Sequence, residues 1–384
     1  MTGTASAPMM QPASVDDVRD AVHDACAANA SLRICGGGTW TQAGPPVHED
    51  RRLSLAGLHG IIAYVPGDLT ITALAGTTLA ELSHATAAHG QWLGLDPAGD
   101  RMGTIGATVA TASAGPLAHA FGTPRDLVLG LDAVTGYGDV VKPGGRVVKN
   151  VAGFDLVRLF TGSWGTLGPI TSVTMRLRAV PTHDISLAMP VDAGADLGTL
   201  LAQLRQPTLS LLAVEWINAP AALALGLGEG RDQILLRLGG NDAFVRGQRA
   251  LLESIAPCTA VEPGVWGVLA ALDQHATAVV RLSGPVSTWP ARVERLRAAL
   301  PAEANAVQHG SINRGIVRII VRRDAAAART LLQTRIDGEQ RNVERLPEPW
   351  WSDEPDVFAD GLAGRIRQAF DPALICNRRR VLHA

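Results

Sequence analysis

Apolar positions near the start of the chain follow first a helical rhythm and then a strand rhythm. Behind Ser14, a residue able to cap a helix, Val15, Val18, Val22 and Ala25 recur at three- and four-residue intervals, with Asp16 and Asp17 in the first turn. The spacing predicts a helix over 14–29, then a short strand at 31–35 that runs directly into Gly36-Gly37-Gly38-Thr39. Residues 60–65 and 69–75 read as paired strands across Pro66-Gly67-Asp68, the second alternating with period two. Thr78 and Glu81 form a capping box for a helix that ends before Gly90. Between Ile105 and Ser113 nearly every side chain is small. That pattern predicts a short helix wedged tightly against backbone or ligand. Residues 126–141 read as strand, turn and strand, with the turn at 136–139, and 167–180 supplies a further strand.

Pro181 marks a change of character. Beyond it, strands at 209–216, 233–238, 278–282 and 315–321 alternate with amphipathic helices at 241–255, 289–300 and 324–335. The expected architecture is α+β: a two-lobed domain over 14–180, then a second domain over 181–360 with one sheet and helices on one face. Residues 1–13 read as a flexible N-terminus and 337–360, rich in Glu, Pro and Asp, as a linker. A helix and turn over 361–384 is expected to return to the first domain.

Composition narrows the function. The 384 residues carry a formal net charge of −2, which argues against a nucleic-acid protein with its basic patch. Cys26, Cys35, Cys258 and Cys376 are scattered with no Cys-x-x-Cys pair, so neither a zinc site nor a local iron–sulfur ligand run is expected. The N-terminus shows no basic start followed by an apolar stretch, and no apolar run approaches the roughly 18 residues of a spanning helix. The expectation is a cytoplasmic protein without a transmembrane segment.

The glycines carry the chemistry. There are 41 of them, clustered between residues 36 and 168. Gly36-Gly37-Gly38-Thr39 follows a strand, yet it lacks the G-x-G-x-x-G dinucleotide fingerprint and no helical stretch follows it. Consecutive glycines can instead turn successive N–H groups into one concavity that binds an anion. Gly103-Thr104-Ile105-Gly106 offers a second such place where the small-residue helix begins. Two loops of this kind suit a pyrophosphate held between two lobes; the alternative is a pair of ordinary tight turns.

Five runs then carry a family resemblance: 33–39 (Arg-Ile-Cys-Gly-Gly-Gly-Thr), 68–77, 103–111, 122–130 and 162–168 (Gly-Ser-Trp-Gly-Thr-Leu-Gly). In order and spacing they resemble the FAD-binding domain of the vanillyl-alcohol oxidase / p-cresol methylhydroxylase type. The run 148–160 is most similar to that of glycolate oxidase FAD-binding subunits of the E type. The resemblance covers residues 32–180 and fades afterwards. It implies that Gly36, Gly37, Gly38 and Thr39 line the FAD pyrophosphate, with Gly103, Thr104 and Gly106 opposite. It further implies Gly115, Gly122, Arg125 and Asp126 along the isoalloxazine and ribityl edge, and Gly168 and Ile170 at the adenine end. Lys149, Asn150, Asp155 and Arg158 are the polar part of the closest run; Asp155 and Arg158 also read as a simple i, i+3 pair. Several relatives tie the flavin to a His or Cys near this loop. Here Trp40-Thr41-Gln42 follows, so FAD is expected to be non-covalent.

For the second domain the resemblance implies less. Full-length 2-hydroxy-acid dehydrogenases of this family carry a His-rich metal motif there; this chain has His309-Gly-Ser-Ile-Asn-Arg-Gly315. With no second His or acid at ligand spacing, no metal is expected. His309, Arg314, Arg318 and Arg380 remain as candidates for handling a substrate, and Arg378-Arg379 stand where the family has Pro-Gly before Arg380. Three function classes follow. The first is the flavin subunit of a glycolate or other 2-hydroxy-acid dehydrogenase, working with a larger FAD-containing subunit and an iron–sulfur subunit and peripheral at the inner membrane face through that complex. The second is a stand-alone FAD oxidoreductase. The third is a non-catalytic architectural subunit.

Overall fold

Ser14 and Asp17 close a reciprocal capping box, and the helix Val15–Ala27 that they start buries Val18, Val22 and Ala25 completely. Each fully buried Val contributes ~1.5–3 kcal/mol of apolar transfer, enough to hold a short helix whose isolated stability is marginal. In this computed structural model residues 7–145, 154–192, 194–228, 230–300, 305–322, 325–333, 339–354 and 361–379 are described. The chain divides into two compact units: residues up to Ala114, Gly122–Val180 and Glu348 onward form the first, and Gly115–Phe121 with Pro181–Pro347 the second.

The first unit holds two sheets. In the smaller, Leu32–Cys35 and Met9–Met10 flank Arg51–Ser54, all parallel. Met9 and Met10 are therefore part of the sheet, which corrects the reading of 1–13 as a flexible end; Arg52 N–H donates to Pro8. The larger sheet is antiparallel, in the order Ile61–Val65, Thr70–Leu74, Ile170–Ala179, Val128–Val134 and Val140–Val141, with Gln91–Leu93 also paired to Ile170–Ala179. The small-residue segment is the helix Ile105–Thr111. It is wedged as its composition predicts: a Cβ on Gly106 would lie 2.6 Å from the Ala75 Cβ and 2.9 Å from the Ala75 carbonyl oxygen.

The second unit is built on one eight-stranded antiparallel sheet. Its central strands Ala213–Ile217 and Val307–Ser311 are buried along their whole length, so both faces are covered. Ile217, Leu235, Val279 and Ile320 pack with Ala221 and Ala222 of the helix Ala219–Ala224 and with Trp266 and Leu269 of Val265–Ala270. From the opposite face Trp216 meets Trp289 of the helix Trp289–Ala299, ring centroids 5.6 Å apart and nearly perpendicular. Helices thus lie on both faces, not one. The runs at 278–280 and 319–321, apolar without alternation, are the mark of a strand buried on two sides.

The expected linker over 337–360 is also corrected. Gln340–Arg345 is an edge strand paired with Ala278–Ser283. Its polar sequence hid it, because its side chains serve buried charges: Glu344 lies 2.7 Å from Arg318, which also holds Asp273 at 2.8 Å.

Replacing Trp289 by Ala should remove about 3–5 kcal/mol from the second unit. Urea unfolding followed by tryptophan fluorescence measures this, and a change below about 1 kcal/mol would show that the ring pair is not an anchor.

Candidate functional site: the glycine loop of the first unit

The strand Leu32–Cys35 ends level with its neighbour Arg51–Ser54, and the chain leaves the sheet at Gly36. The Ser54 hydroxyl donates to the Gly36 carbonyl at 3.3 Å, and the Cys35 thiol turns back to the Leu53 carbonyl at 3.7 Å. Gly38 then adopts φ +84°, a left-handed conformation that L side chains rarely take. The turn closes with Thr41 N–H donating to the Gly38 carbonyl. Among the described residues the amides of Gly37, Gly38, Thr39 and Trp40 have no acceptor within the protein. Gly37, Gly38 and Thr39 are exposed. Four successive unpaired amides on an exposed glycine loop leave a row of N–H donors open to a group outside the chain.

The second glycine run lies directly against the first. A Cβ on Gly36 would collide with the Thr104 Oγ1, and one on Gly103 would stand 3.5 Å from the Thr39 Oγ1. The structure therefore brings Gly36–Thr39 and Met102–Thr104 together. It also separates their roles. The amide of Gly103 donates to Asp100, that of Ile105 to Thr77 and that of Gly106 to Ala75. The second run is a wall, with Thr104 capping the helix and Met102 half exposed beside the loop. Gly106 is a packing glycine whose amide is already spent on Ala75.

Other expected positions fall in separate places. Gly122, at φ +85°, packs on Asp126, whose carboxylate caps the turn Pro124–Leu127 by accepting from the Thr123 amide at 2.8 Å. Arg125 is exposed and its Nη2 donates to the Thr161 carbonyl, close to Gly162. Gly168, at φ +127°, lies so close to the Val134 carbonyl that a Cβ would overlap it, and Ile170 is a core residue of its strand. Gly115 belongs with the second unit. Asp155 accepts from the Arg158 amide at the start of the helix Leu156–Phe160. Lys149, Asn150 and Arg380 lie outside the described residues.

The loop is braced by residues the sequence did not single out. Trp40 Nε1 donates to the Ala98 carbonyl at 3.2 Å, and its ring lies 6.3 Å from that of Trp164, itself at φ +54°. Asn377 bonds to both Ile34 and Trp164. No local pattern could have placed it there, because its partners are separated from it by hundreds of residues.

In the second unit Arg318 is locked between Asp273 and Glu344. Burial alone would lower its pKa, but these two carboxylates raise it. Its charge is therefore met by the protein's own carboxylates. His309 is buried and its Nδ1 lies 2.7 Å from Glu215 Oε1. Arg314 sits in the turn Ile312–Arg314. His309 Nε2, Glu215 Oε2 and Ser311 Oγ are buried without a partner among the described residues.

A family model described as "FAD binding domain" matches residues 7–144. The chain is 34% identical over 233 residues to the Escherichia coli glycolate oxidase subunit GlcE, covering 60% of this chain and 62% of that protein. It is 30% identical over 194 residues to the mitochondrial D-lactate dehydrogenase (cytochrome) of Arabidopsis thaliana, covering 49% of this chain and 34% of that one. The chain thus spans less than two thirds of either relative. Crystalline p-cresol methylhydroxylase superposes with TM-score 0.78 at 14% identity over 97% of this chain and 88% of that one. The fold is that of the p-cresol methylhydroxylase type.

Gly37 separates cofactor from fold. A Cβ there meets only ordinary contacts, the nearest at 3.5 Å, so Gly37→Val should fold while crowding whatever approaches the loop. Purified Gly37→Val is expected to keep its circular dichroism and lose its flavin absorbance; full flavin occupancy would sink the loop assignment. Gly106→Val should instead lower thermal stability, by about 1–3 kcal/mol from overpacking.

Proposed function

We propose that this chain, whose residues 7–144 are an FAD-binding domain and whose cofactor is FAD, is the flavin-carrying subunit of a 2-hydroxy-acid oxidoreductase that converts glycolate to glyoxylate. The observation that carries the cofactor site is the row of unpaired amides from Gly37 to Trp40, on a loop that packs against Met102–Thr104. Backbone N–H groups hold pyrophosphate oxygens without a fixed positive charge, and the absence of Cβ atoms lets the phosphates approach. Gly36 and Gly38 shape the loop, Gly37 and Thr39 present it, and Thr104 forms the facing wall. FAD supplies a two-electron acceptor for the substrate carbon.

Non-covalent attachment follows from where the nearest nucleophiles point. Burial pushes the Cys35 thiol up, against the pull of Arg52 and Arg33, and its sulfur faces the Leu53 carbonyl. His48 stands 3.4 Å from Asp50. Acid precipitation should therefore leave all the FAD in the supernatant, whereas yellow colour in the pellet would overturn this.

Partnership with a larger FAD-containing subunit and an iron–sulfur subunit rests on the second unit. Arg318 is neutralised by its own carboxylates, so a carboxylate clamp of the kind a hydroxy acid needs is weak there. The four cysteines are free and provide no one-electron relay of their own. The similarity to GlcE points the same way. The complex is expected in the cytoplasm, peripheral at the inner membrane face; among the described residues no helix is long and apolar enough to cross a membrane. A second reading, a stand-alone enzyme, is favoured by the unpartnered Glu215, His309 and Ser311 atoms. Anaerobic addition of glycolate or D-lactate decides between them. The isolated chain should keep its oxidised flavin spectrum and bleach only with the partners present; rapid bleaching alone would establish the stand-alone enzyme.

A further inference from the structure

The C-terminal segment reaches the glycine loop through one side chain. Residues 375–377 run beside Leu32–Cys35: Leu32 N–H donates to the Ile375 carbonyl at 2.8 Å, and Asn377 N–H donates to the Leu32 carbonyl at 2.9 Å. A regular ladder would continue with backbone groups opposite Ile34. Instead the chain turns away, with Asn377 at φ +43°. Its side-chain amide takes the place of a peptide. Oδ1 accepts from Ile34 N–H at 2.7 Å and Nδ2 lies 3.4 Å from the Ile34 carbonyl. The same Nδ2 donates to the Trp164 carbonyl at 2.7 Å. Gly165, at φ +70°, leaves room for this: a Cβ there would stand 2.7 Å from Nδ2.

These bonds bracket the loop. Ile34 lies two positions before Gly36, and Trp164 holds its ring against Trp40, which ends the loop. We propose that Asn377 is the positioning residue of the FAD pyrophosphate loop, fixing the entry at Ile34 directly and the exit at Trp40 through Trp164. The proposal rests on the Gly37–Trp40 amides being the pyrophosphate site. The carboxamide is required because it accepts and donates at once. Asp could only accept, and its charge would face the Ile34 and Trp164 carbonyls. Ala would leave the Ile34 amide unpaired and the Trp164 turn loose.

The test uses the full chain, stripped of flavin and titrated with FAD. For Asn377→Ala, losing three neutral hydrogen bonds that order the loop should weaken FAD binding about tenfold or more. Asn377→Asp, which keeps the bond from Ile34 and loses the donor to Trp164, should fall between Ala and the parent. The visible circular dichroism of bound flavin should change in both, whereas a merely structural role would lower the melting temperature of the flavin-free chain and leave that signature alone. Should Asn377→Ala fail to fold, the Asp variant carries the measurement. Parent-like affinity and an unchanged flavin signature in the folded variants would overturn the proposal. Gly37→Val is the control: if it too binds FAD normally, the site assignment fails, and if it alone loses FAD, only the role of Asn377 fails.

Discussion

The first unit depends on a stretch of backbone whose amides the protein leaves unpaired. Gly37, Gly38 and Thr39 are exposed, so water meets their N–H groups until an anionic ligand replaces it. What the neighbours must supply is the shape of the stretch. Here they do so from three directions. The parallel strands Leu32–Cys35 and Arg51–Ser54 deliver the loop, the Met102–Thr104 wall backs it, and the tryptophan and asparagine contacts hold its ends. The glycines do different work within this frame. Gly38 supplies a left-handed turn, Gly36 permits contact with Thr104, and Gly37 combines an ordinary backbone conformation with room for a Cβ.

That division explains what was legible beforehand. Local, repeating interactions left clear traces: the capping boxes at Ser14 and Thr78, the wedged helix at Ile105–Thr111, and the two glycine runs that meet in space. Interactions that cross the chain left none. Gln340–Arg345 looked like a linker because its side chains answer to Arg318 and Arg281, which are distant in sequence. Asn377 lay unmarked in the segment expected to return to the first domain, since its partners at Ile34 and Trp164 belong to other elements. Gly106 is ambiguous for a different reason. A glycine that admits a ligand and one that admits a neighbouring backbone look the same in sequence, and only the Ala75 contact distinguishes them.

The second unit shows how the environment changes the meaning of a charged residue. Arg318, on a strand between apolar neighbours, resembles a cation set aside for a substrate. In the fold it is surrounded by Asp273 and Glu344, and removing Arg318 would leave carboxylates without their counter-charge in a buried setting. The network therefore reads as architecture. Glu215, His309 and Ser311 are the opposite case. Glu215 and Ser311 are direct cross-strand partners, and His309 lies two residues before Ser311 on the same face. The carboxylate orients the imidazole through Nδ1, leaving Nε2 as the atom still seeking a partner. If any group in this unit addresses a hydroxyl, it is this oriented imidazole rather than the arginine. The choice between the subunit and stand-alone readings therefore turns on whether a hydroxy acid can reach this Glu215–His309 pair without a cation to draw its carboxylate in.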